Sequence, residues 1–242
     1  DVISHNTANY TAWQYRRDIL IALNMDLRNE LRYTSDMGAQ NVKNYQIWHH
    51  RRFLVQQLNY GAEEIDYCNE LLEDDSKNYH AWTHRQWALK EFNEWDNELK
   101  YIELLLNQDV RNNSAWNHRH FVITNTTGYT NEVMDREVVY TLDKIKIAPN
   151  NESPWNYLTG ALLCGKLTSV PEVKTFAEEM MDKGIRSPYV AATLAKVYEE
   201  EFAQGREESR KEAVNMYDKL SSDLDGIRRA YWEHRKEALL SA

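Results

Sequence analysis

A cation stands directly before an asparagine in three successive segments, as Lys43-Asn44, Lys77-Asn78 and Arg111-Asn112. Asparagine is among the best residues for starting a helix, because its side-chain oxygen accepts a hydrogen bond from a backbone N–H of the first turn. The start of a helix also carries unpaired N–H groups and a partial positive charge, which favour anions. The cations therefore predict an anion-binding edge, although ordinary solvated side chains beside helix caps explain them equally well.

Tyrosine and polar residues follow the same asparagines. The next two positions hold Tyr10-Thr11, Tyr45-Gln46, Tyr79-His80, Asn113-Ser114 and Glu152-Ser153. Stacked segments would align these residues into a polar, aromatic and cationic row, which suits an anionic ligand with an apolar body. We find no activated nucleophile, paired carboxylates or glycine-rich phosphate loop in the sequence. Any catalysis is therefore expected to need a second component.

Histidine recurs at one offset from a tryptophan, as His50, His84 and His118. Equivalent residues of successive repeats lie about 10 Å apart for each packed helix, too far to share a zinc ion bound at about 2.0–2.1 Å. Adjacent residues such as His49 and His50 point about 100° apart around a helix. Cys68 and Cys164 form no Cys-x-x-Cys pair. We therefore expect neither a metal site nor a disulfide framework in this chain.

Five tryptophans set the period of the chain. They are Trp13, Trp48, Trp82, Trp116 and Trp155, at intervals of 35, 34, 34 and 39 residues. An asparagine precedes each by four positions, as Asn9, Asn44, Asn78, Asn112 and Asn151. The first four begin Trp-x-x-Arg, with Arg16, Arg51, Arg85 and Arg119, whereas the fifth has Leu158. The period predicts a helix after each asparagine, with its tryptophan in the core.

A second motif, Glu-x-x-Tyr, places one more helix in each repeat. Its copies are Glu30–Tyr33, Glu64–Tyr67, Glu98–Tyr101 and Glu137–Tyr140. These glutamates are candidate partners for the repeated arginines, because an unpaired charge on a buried face is costly. The apolar pairs Ile19-Leu20, Leu54-Val55, Ala88-Leu89 and Val122-Ile123 predict a buried stripe beside each tryptophan. The fold class is therefore all-α, a right-handed α-α superhelix (solenoid) of about five to seven helical hairpins forming a crescent.

Composition supports a folded helical protein. Glycine and proline together number 12 of 242 residues, and a net charge of −9 argues against general nucleic-acid binding. No apolar run is long enough for a membrane span and no signal peptide is evident, so we expect a cytoplasmic protein. Because the chain begins at Asp1 rather than methionine, we expect that an N-terminal stretch has been trimmed.

Two regions are predicted within one domain. Residues 1–165 hold the repeats, with a longer turn near Asn125–Thr130. Residues 166–242 form C-terminal helical repeats or a cap, divided into shorter helices by Pro171, Gly184 and Pro188. Trp232-x-x-Arg235 is at best a degenerate sixth copy.

Five stretches of the sequence resemble the repeats of the protein prenyltransferase α subunit, shared by protein farnesyltransferase and geranylgeranyltransferase type I. They are Lys43–Arg52, Lys77–Trp87, Asp109–Phe121, Trp95–Leu99 and Asn125–Tyr129. The resemblance runs from about Asn6 through Tyr157. It implies an obligate heterodimer in which the crescent wraps an α/α-barrel β subunit that holds zinc. Magnesium is a further expected cofactor for farnesyl transfer.

The implied reaction moves a farnesyl or geranylgeranyl group from its diphosphate to the cysteine of a C-terminal Cys-a-a-X protein. By resemblance, Lys43 and Tyr79 are the catalytic residues, with Lys43 stabilising negative charge on the departing diphosphate. The substrate-binding residues implied are Tyr45, Gln46, Asn78, His80 and Tyr10. Of these, Gln46 would donate to the terminal carboxylate of the peptide and Tyr10 would border that peptide.

Two alternatives stay open. A non-catalytic tetratricopeptide-like adaptor has the same 34-residue period, but its small Gly and Ala positions and its late proline are not filled here. The α subunit of the Rab-specific geranylgeranyltransferase shares the repeat, yet is less similar at Lys43–Gln46 and Lys77–His80. The choice of isoprenoid is expected to lie in the β subunit.

Overall fold

The computed structural model describes residues 2–163 and 166–241, and within those ranges we find helices and no β-strand. The α-helices are α1 (Val2–His5), α2 (Tyr10–Ala22), α3 (Leu27–Gln40), α4 (Tyr45–Leu58), α5 (Glu64–Asp74), α6 (Tyr79–Phe92), α7 (Glu98–Gln108), α8 (Asn113–Asn125), α9 (Asn131–Ile147), α10 (Glu152–Asn156), α11 (Pro171–Asp182), α12 (Pro188–Ala203), α13 (Glu207–Lys219) and α14 (Arg229–Ser241). The predicted all-α class is confirmed.

Each of the five asparagines caps the helix predicted to follow it. The side-chain oxygens of Asn9, Asn44, Asn78, Asn112 and Asn151 accept bonds from backbone N–H groups in the first turns of α2, α4, α6, α8 and α10. At the other end, α4 and α6 stop at Asn59 and Asn93, which adopt the left-handed conformation that asparagine tolerates. The helix boundaries therefore follow from short-range backbone chemistry.

The five repeat tryptophans are buried, as predicted. Each indole Nε1 also donates to the carbonyl oxygen six residues upstream, at 2.8–3.0 Å, on Thr7, Val42, Ser76, Val110 and Pro149. One expectation for the neighbouring stripe was wrong, because Ile19 is 55% exposed. Among the described residues only the four-residue α1 precedes α2, so the preceding part of the chain offers no long helix that could cover Ile19.

The predicted arginine–glutamate pairs are confirmed. They join Arg16 to Glu30, Arg51 to Glu64, Arg85 to Glu98 and Arg119 to Glu137 through two N–H···O bonds each, at 2.5–2.9 Å. Each pair links the first helix of a repeat to its second. The two parallel bonds match the fork of the guanidinium to the carboxylate.

Three of these glutamates also bind a side chain of the next repeat. His50 contacts Glu30 at 2.7 Å and His84 contacts Glu64 at 2.6 Å. In the fifth repeat, the hydroxyl of Tyr157 donates to Glu137 at 2.9 Å. The repeated histidines therefore join neighbouring repeats to one another.

The chain divides into two compact units, one ending at Tyr101 and the other beginning at Ile102. In the first unit α3 packs against α4 and α5 against α6, while α4 also contacts α2 and α6. In the second unit, α11 begins at Pro171 and α12 begins at Pro188, so these prolines divide the region as predicted. The expectation of shorter helices was wrong, because α11 to α14 are 12–16 residues long. Cys164 and Gly165, at the predicted end of the repeat region, lie outside the described residues.

Candidate functional site

The N-terminus of α4 presents the three predicted site residues that lie closest in sequence. Asn44 accepts a bond from the backbone N–H of Gln46 at 2.9 Å, which fixes the first turn. Lys43, Tyr45 and Gln46 then border one open depression of about 560 Å³. The cap therefore holds a cation, a phenol and an amide beside a helix N-terminus.

The Lys43 ammonium is the most exposed part of this arrangement. Its side chain is 77% exposed, and Nζ lies 3.8 Å from a carboxylate oxygen of Asp75. The other oxygen of Asp75 accepts a bond from the backbone N–H of Lys77 at 3.3 Å. Ion pairs this long and this exposed contribute little to stability. Lys43 can therefore leave Asp75 and bind another anion with only a small loss of free energy.

Tyr45, Tyr79 and His80 come together across α4 and α6. The ring of His80 meets Tyr45 at 5.9 Å and Tyr79 at 5.5 Å between ring centres, both edge to face. All three border a second cavity of about 130 Å³, and Tyr45 borders the first depression as well. Both phenols are largely exposed, so their hydroxyl groups are available to donate hydrogen bonds.

Asn78 and Tyr10 are placed differently from the other predicted residues. Asn78 is only 3% exposed, and its oxygen already accepts from His80 and Ala81 N–H groups at 3.0 and 3.1 Å. Its position makes it the cap that orients Tyr79 and His80. Tyr10, the first residue of α2, is exposed but borders neither cavity.

Several residues that sequence reasoning missed complete the second cavity. They are Trp48, His49, Arg52, Thr83, His84 and Trp87. Tyr45, His49 and Arg52 are spaced i, i+4 and i+7 on α4, so the helical period alone could have placed the last two beside Tyr45. Asp75 was missed as well, and its contact with Lys43 depends on how neighbouring repeats stack.

A buried charged cluster of Glu30, His50 and Arg16 joins α2, α3 and α4. Burial alone would raise the pKa of Glu30, but hydrogen bonds from His50 and Arg16 outweigh it and lower the pKa to about 2. Burial lowers the pKa of His50, and the opposing attraction of Glu30 is weaker. The ionised carboxylate is therefore balanced by Arg16, while neutral His50 donates an N–H to it.

The arrangement is suited to binding an anion. An exposed ammonium, two exposed phenols and a helix N-terminus supply donors and positive charge. Over residues 2–163 and 166–241, we find no group of three His, Cys, Asp or Glu side chains arranged to hold a metal ion. In the same part of the chain, no helix combines the length and apolarity that crossing a membrane demands.

Comparison with known proteins gives one consistent result. The family model for the protein prenyltransferase alpha subunit repeat matches residues 1–23, 27–58, 62–92, 95–126 and 134–164. A chain of the solved structure of Candida albicans protein geranylgeranyltransferase-I complexed with GGPP superposes with a TM-score of 0.87 at 31% identity. That match covers 98% of this chain and 81% of the other.

Two curated relatives carry the name protein farnesyltransferase/geranylgeranyltransferase type-1 subunit alpha. The Dictyostelium discoideum protein is 38% identical over 104 residues, which are 43% of this chain and 31% of that protein. The Candida albicans protein is 31% identical over 110 residues, 45% of this chain and 34% of that protein. The matched segment thus spans about a third of each relative. By its five matched repeats and its fold, the chain belongs to the protein prenyltransferase alpha subunit repeat family.

Proposed function

We propose that this chain is the α subunit of a heterodimeric protein prenyltransferase, active only with a β subunit. The enzyme would transfer a farnesyl or geranylgeranyl group from its diphosphate to the cysteine of a C-terminal Cys-a-a-X protein. In that reaction a bond forms between the cysteine sulfur and the isoprenoid carbon, the carbon–oxygen bond breaks, and diphosphate leaves. The observation that carries the proposal is the exposed Lys43 ammonium beside Tyr45 and Gln46 at a helix N-terminus.

Each site residue receives a role from its chemistry. Lys43 would stabilise the charge that develops on the departing diphosphate, where a preorganised cation contributes most. Tyr79 would donate its hydroxyl to the same group, with Tyr45 and His80 lining the edge. Gln46 would donate its amide to the terminal carboxylate of the peptide, and Tyr10 would border that peptide. Asn78 would act by holding the first turn of α6.

The remaining components are assigned to the partner. The zinc ion would be held by the β subunit and would activate the substrate cysteine, and magnesium would assist farnesyl transfer. These assignments follow the family resemblance, and the residues of this chain take part through the diphosphate and the peptide. The protein would act in the cytoplasm.

The test is reconstitution. The 242-residue chain is co-expressed with the β subunit of a protein geranylgeranyltransferase-I, and separately with that of a farnesyltransferase. Each complex is assayed with labelled farnesyl and geranylgeranyl diphosphates and a Cys-a-a-X peptide, with each subunit alone as control. We expect a stable heterodimer and transfer that needs both subunits. A chain that binds neither β subunit, or a heterodimer without transfer, would overturn the proposal in favour of an adaptor.

A further inference from the structure

One side of α2 carries a stripe of exposed apolar side chains. Tyr15, Ile19 and Leu23 are spaced four residues apart, so they share one side of the helix, and they are 67%, 55% and 67% exposed. All three border an open groove of about 640 Å³, which α1 also borders through Val2 and Ile3. Single exposed apolar residues are ordinary, whereas several in one groove mark a surface for packing. We call it the α2 groove.

The equivalent positions are buried in the later repeats. Ile19 stands six positions after its tryptophan, and its equivalents in the next three repeats are at most 2% exposed, namely Leu54, Ala88 and Val122. Tyr15 stands two positions after the same tryptophan, and its equivalents are at most 5% exposed, namely His50, His84, His118 and Tyr157. The α2 groove therefore continues the interface that joins one repeat to the next.

The short helix α1 shows which element would complete this interface. It ends at His5, eight residues before Trp13, and α3, α5, α7 and α9 likewise end eight residues before the next tryptophan. Those four helices are 11–17 residues long, whereas α1 has four residues. Because α3 packs against α4 and α5 against α6, a longer α1 would run along α2. The α2 groove lies in its path.

We propose that the α2 groove is the docking site of an N-terminal continuation of α1, an amphipathic helix of the repeat type. The inference goes beyond the proposed function, because it concerns the stacking of the first repeat and not the transfer reaction. The family match supports this occupant, since its first copy covers residues 1–23 and includes only the four-residue α1 before α2. The second copy, over residues 27–58, includes the whole of α3 before α4.

Tyr15 determines part of the chemistry of the docking helix. In the fifth repeat the equivalent residue is also a tyrosine, and the hydroxyl of Tyr157 donates to Glu137 on α9 at 2.9 Å. That glutamate stands 18 residues before the tryptophan of the fifth repeat. The docking helix would therefore offer a hydrogen-bond acceptor to the Tyr15 hydroxyl and apolar side chains to Ile19 and Leu23.

The experiment supplies such a helix to the 242-residue chain. A copy of residues 130–142, which contains most of α9 and its N-cap, is fused directly before Asp1. This register puts the copied Glu137 18 residues before Trp13. Thermal unfolding is measured together with the fluorescence of ANS, a dye that binds exposed apolar surface.

A matched control extension has the same length but lacks the apolar face. It carries Val133→Ser, Val138→Ser and Leu142→Ser in the fused copy, because α9 buries these three side chains. We expect the unaltered extension to raise the melting temperature by at least about 2 °C over the control extension and to lower the dye fluorescence.

Variants on the groove side locate the contact. Ile19→Glu changes an exposed residue, so it should hardly alter the melting temperature of the chain without an extension. In the extended chain the same change should abolish the gain. Tyr15→Phe should remove part of the gain, because the copied Glu137 then loses its donor.

Three results would overturn the inference. The first is equal melting temperatures of the two extended chains, and the second is a gain that survives Ile19→Glu. The third is a fall in dye fluorescence when the β subunit is added to the chain without an extension, if Ile19→Glu abolishes that fall. The partner would then be the occupant of the α2 groove. Prenyl transfer by the reconstituted heterodimer is a separate measurement, and its failure would overturn only the proposed function.

Discussion

His84 on α6 contacts, at 2.6 Å, an oxygen of the Glu64 carboxylate, and Arg51 on α4 binds the same carboxylate through two N–H groups. One buried acid thus joins the two helices of its own repeat and the first helix of the next. Burial tends to raise the pKa of Glu64, but the hydrogen bonds of His84 and Arg51 outweigh it and the pKa is lowered. The carboxylate is therefore ionised, and its charge is balanced by Arg51.

Glu64→Gln is expected to destabilise the chain strongly. The change leaves the Arg51 guanidinium buried without a counter-charge, and breaking a buried ion pair in this way costs about 3–5 kcal/mol. Chemical denaturation followed by circular dichroism measures the loss. Glu63→Gln, at the exposed neighbouring position, is the control and should change the free energy of unfolding by less than about 0.5 kcal/mol. Equal stabilities of the two variants would contradict a structural role for the network.

Acid is expected to destabilise the fold in two steps. Burial is the main cause that lowers the pKa values of His50 and His84, so the folded chain binds fewer protons than the unfolded chain. Their contribution is complete above about pH 6.5 and is lost as the pH falls through their lowered pKa values. Glu30, with a pKa of about 2, contributes above about pH 4.3 and its share is lost between that pH and about 2.

The first step can be tested by removing the histidines. His50→Gln together with His84→Gln retains an N–H donor for each carboxylate but cannot titrate. The free energy of unfolding is measured at about pH 7 and about pH 5, on either side of the unperturbed histidine pKa. The double variant should lose less stability over that interval than the wild type. Parallel losses in both proteins would show that other groups govern the acid sensitivity.

Lys43→Ala is expected to slow transfer more than it weakens diphosphate binding. The charge on the leaving group grows in the transition state, so the lost stabilisation falls mainly on kcat, by about 10²–10³-fold. Steady-state kinetics of the reconstituted heterodimer separate kcat from KM. Lys100→Ala, which removes an exposed lysine from α7, is the control. Equal losses in rate and in diphosphate affinity would contradict the proposed role of Lys43.

Gln46→Ala should act on the peptide instead. Loss of one hydrogen bond to a charged group costs about 1.5–3 kcal/mol, which raises the KM for the Cys-a-a-X peptide at least about tenfold with little change in kcat. Gln56→Ala, at an exposed position later in α4, is the matched control. An unchanged peptide KM in the Gln46 variant would remove this residue from the site.

Gly61→Ala is expected to destabilise the first unit. A Cβ atom at Gly61 would fall inside the van der Waals volume of the Phe92 ring, and overpacking of this kind typically costs about 1–3 kcal/mol. Phe92→Leu in the same chain should restore part of the loss, because the smaller side chain relieves the clash. Gly226→Ala, where an added methyl group meets open space, serves as control. Additive losses in the double variant would show that the clash is not with Phe92.

Much of this architecture could be predicted because it depends on residues that are only a few positions apart in the sequence. Asn44 and Trp48 are four residues apart, so the helix cap and the core residue lie about one helical turn from each other. Both roles could therefore be predicted without knowing how the helices pack. The Arg51–Glu64 pair was predicted because the motifs Trp-x-x-Arg and Glu-x-x-Tyr recur together in the first four repeats. The bond from His84 to Glu64 was not predicted, since it depends on which face of α6 meets the preceding repeat. The environment of Arg17 could not be predicted for the same reason, because only the folded structure shows that its Nη1 is buried without a hydrogen-bond partner among the described residues.

The shared glutamates have a consequence for how the chain is made. Glu30, Glu64 and Glu137 each find their second partner 20 residues further along the sequence, in the next repeat. During synthesis each carboxylate leaves the ribosome before the residue that completes its bonding. A nascent repeat would therefore stay incompletely bonded until the following one emerges, and the repeats would complete their bonding in order from the N-terminus. Contacts of such short range favour rapid folding, so translation itself would set the pace of assembly.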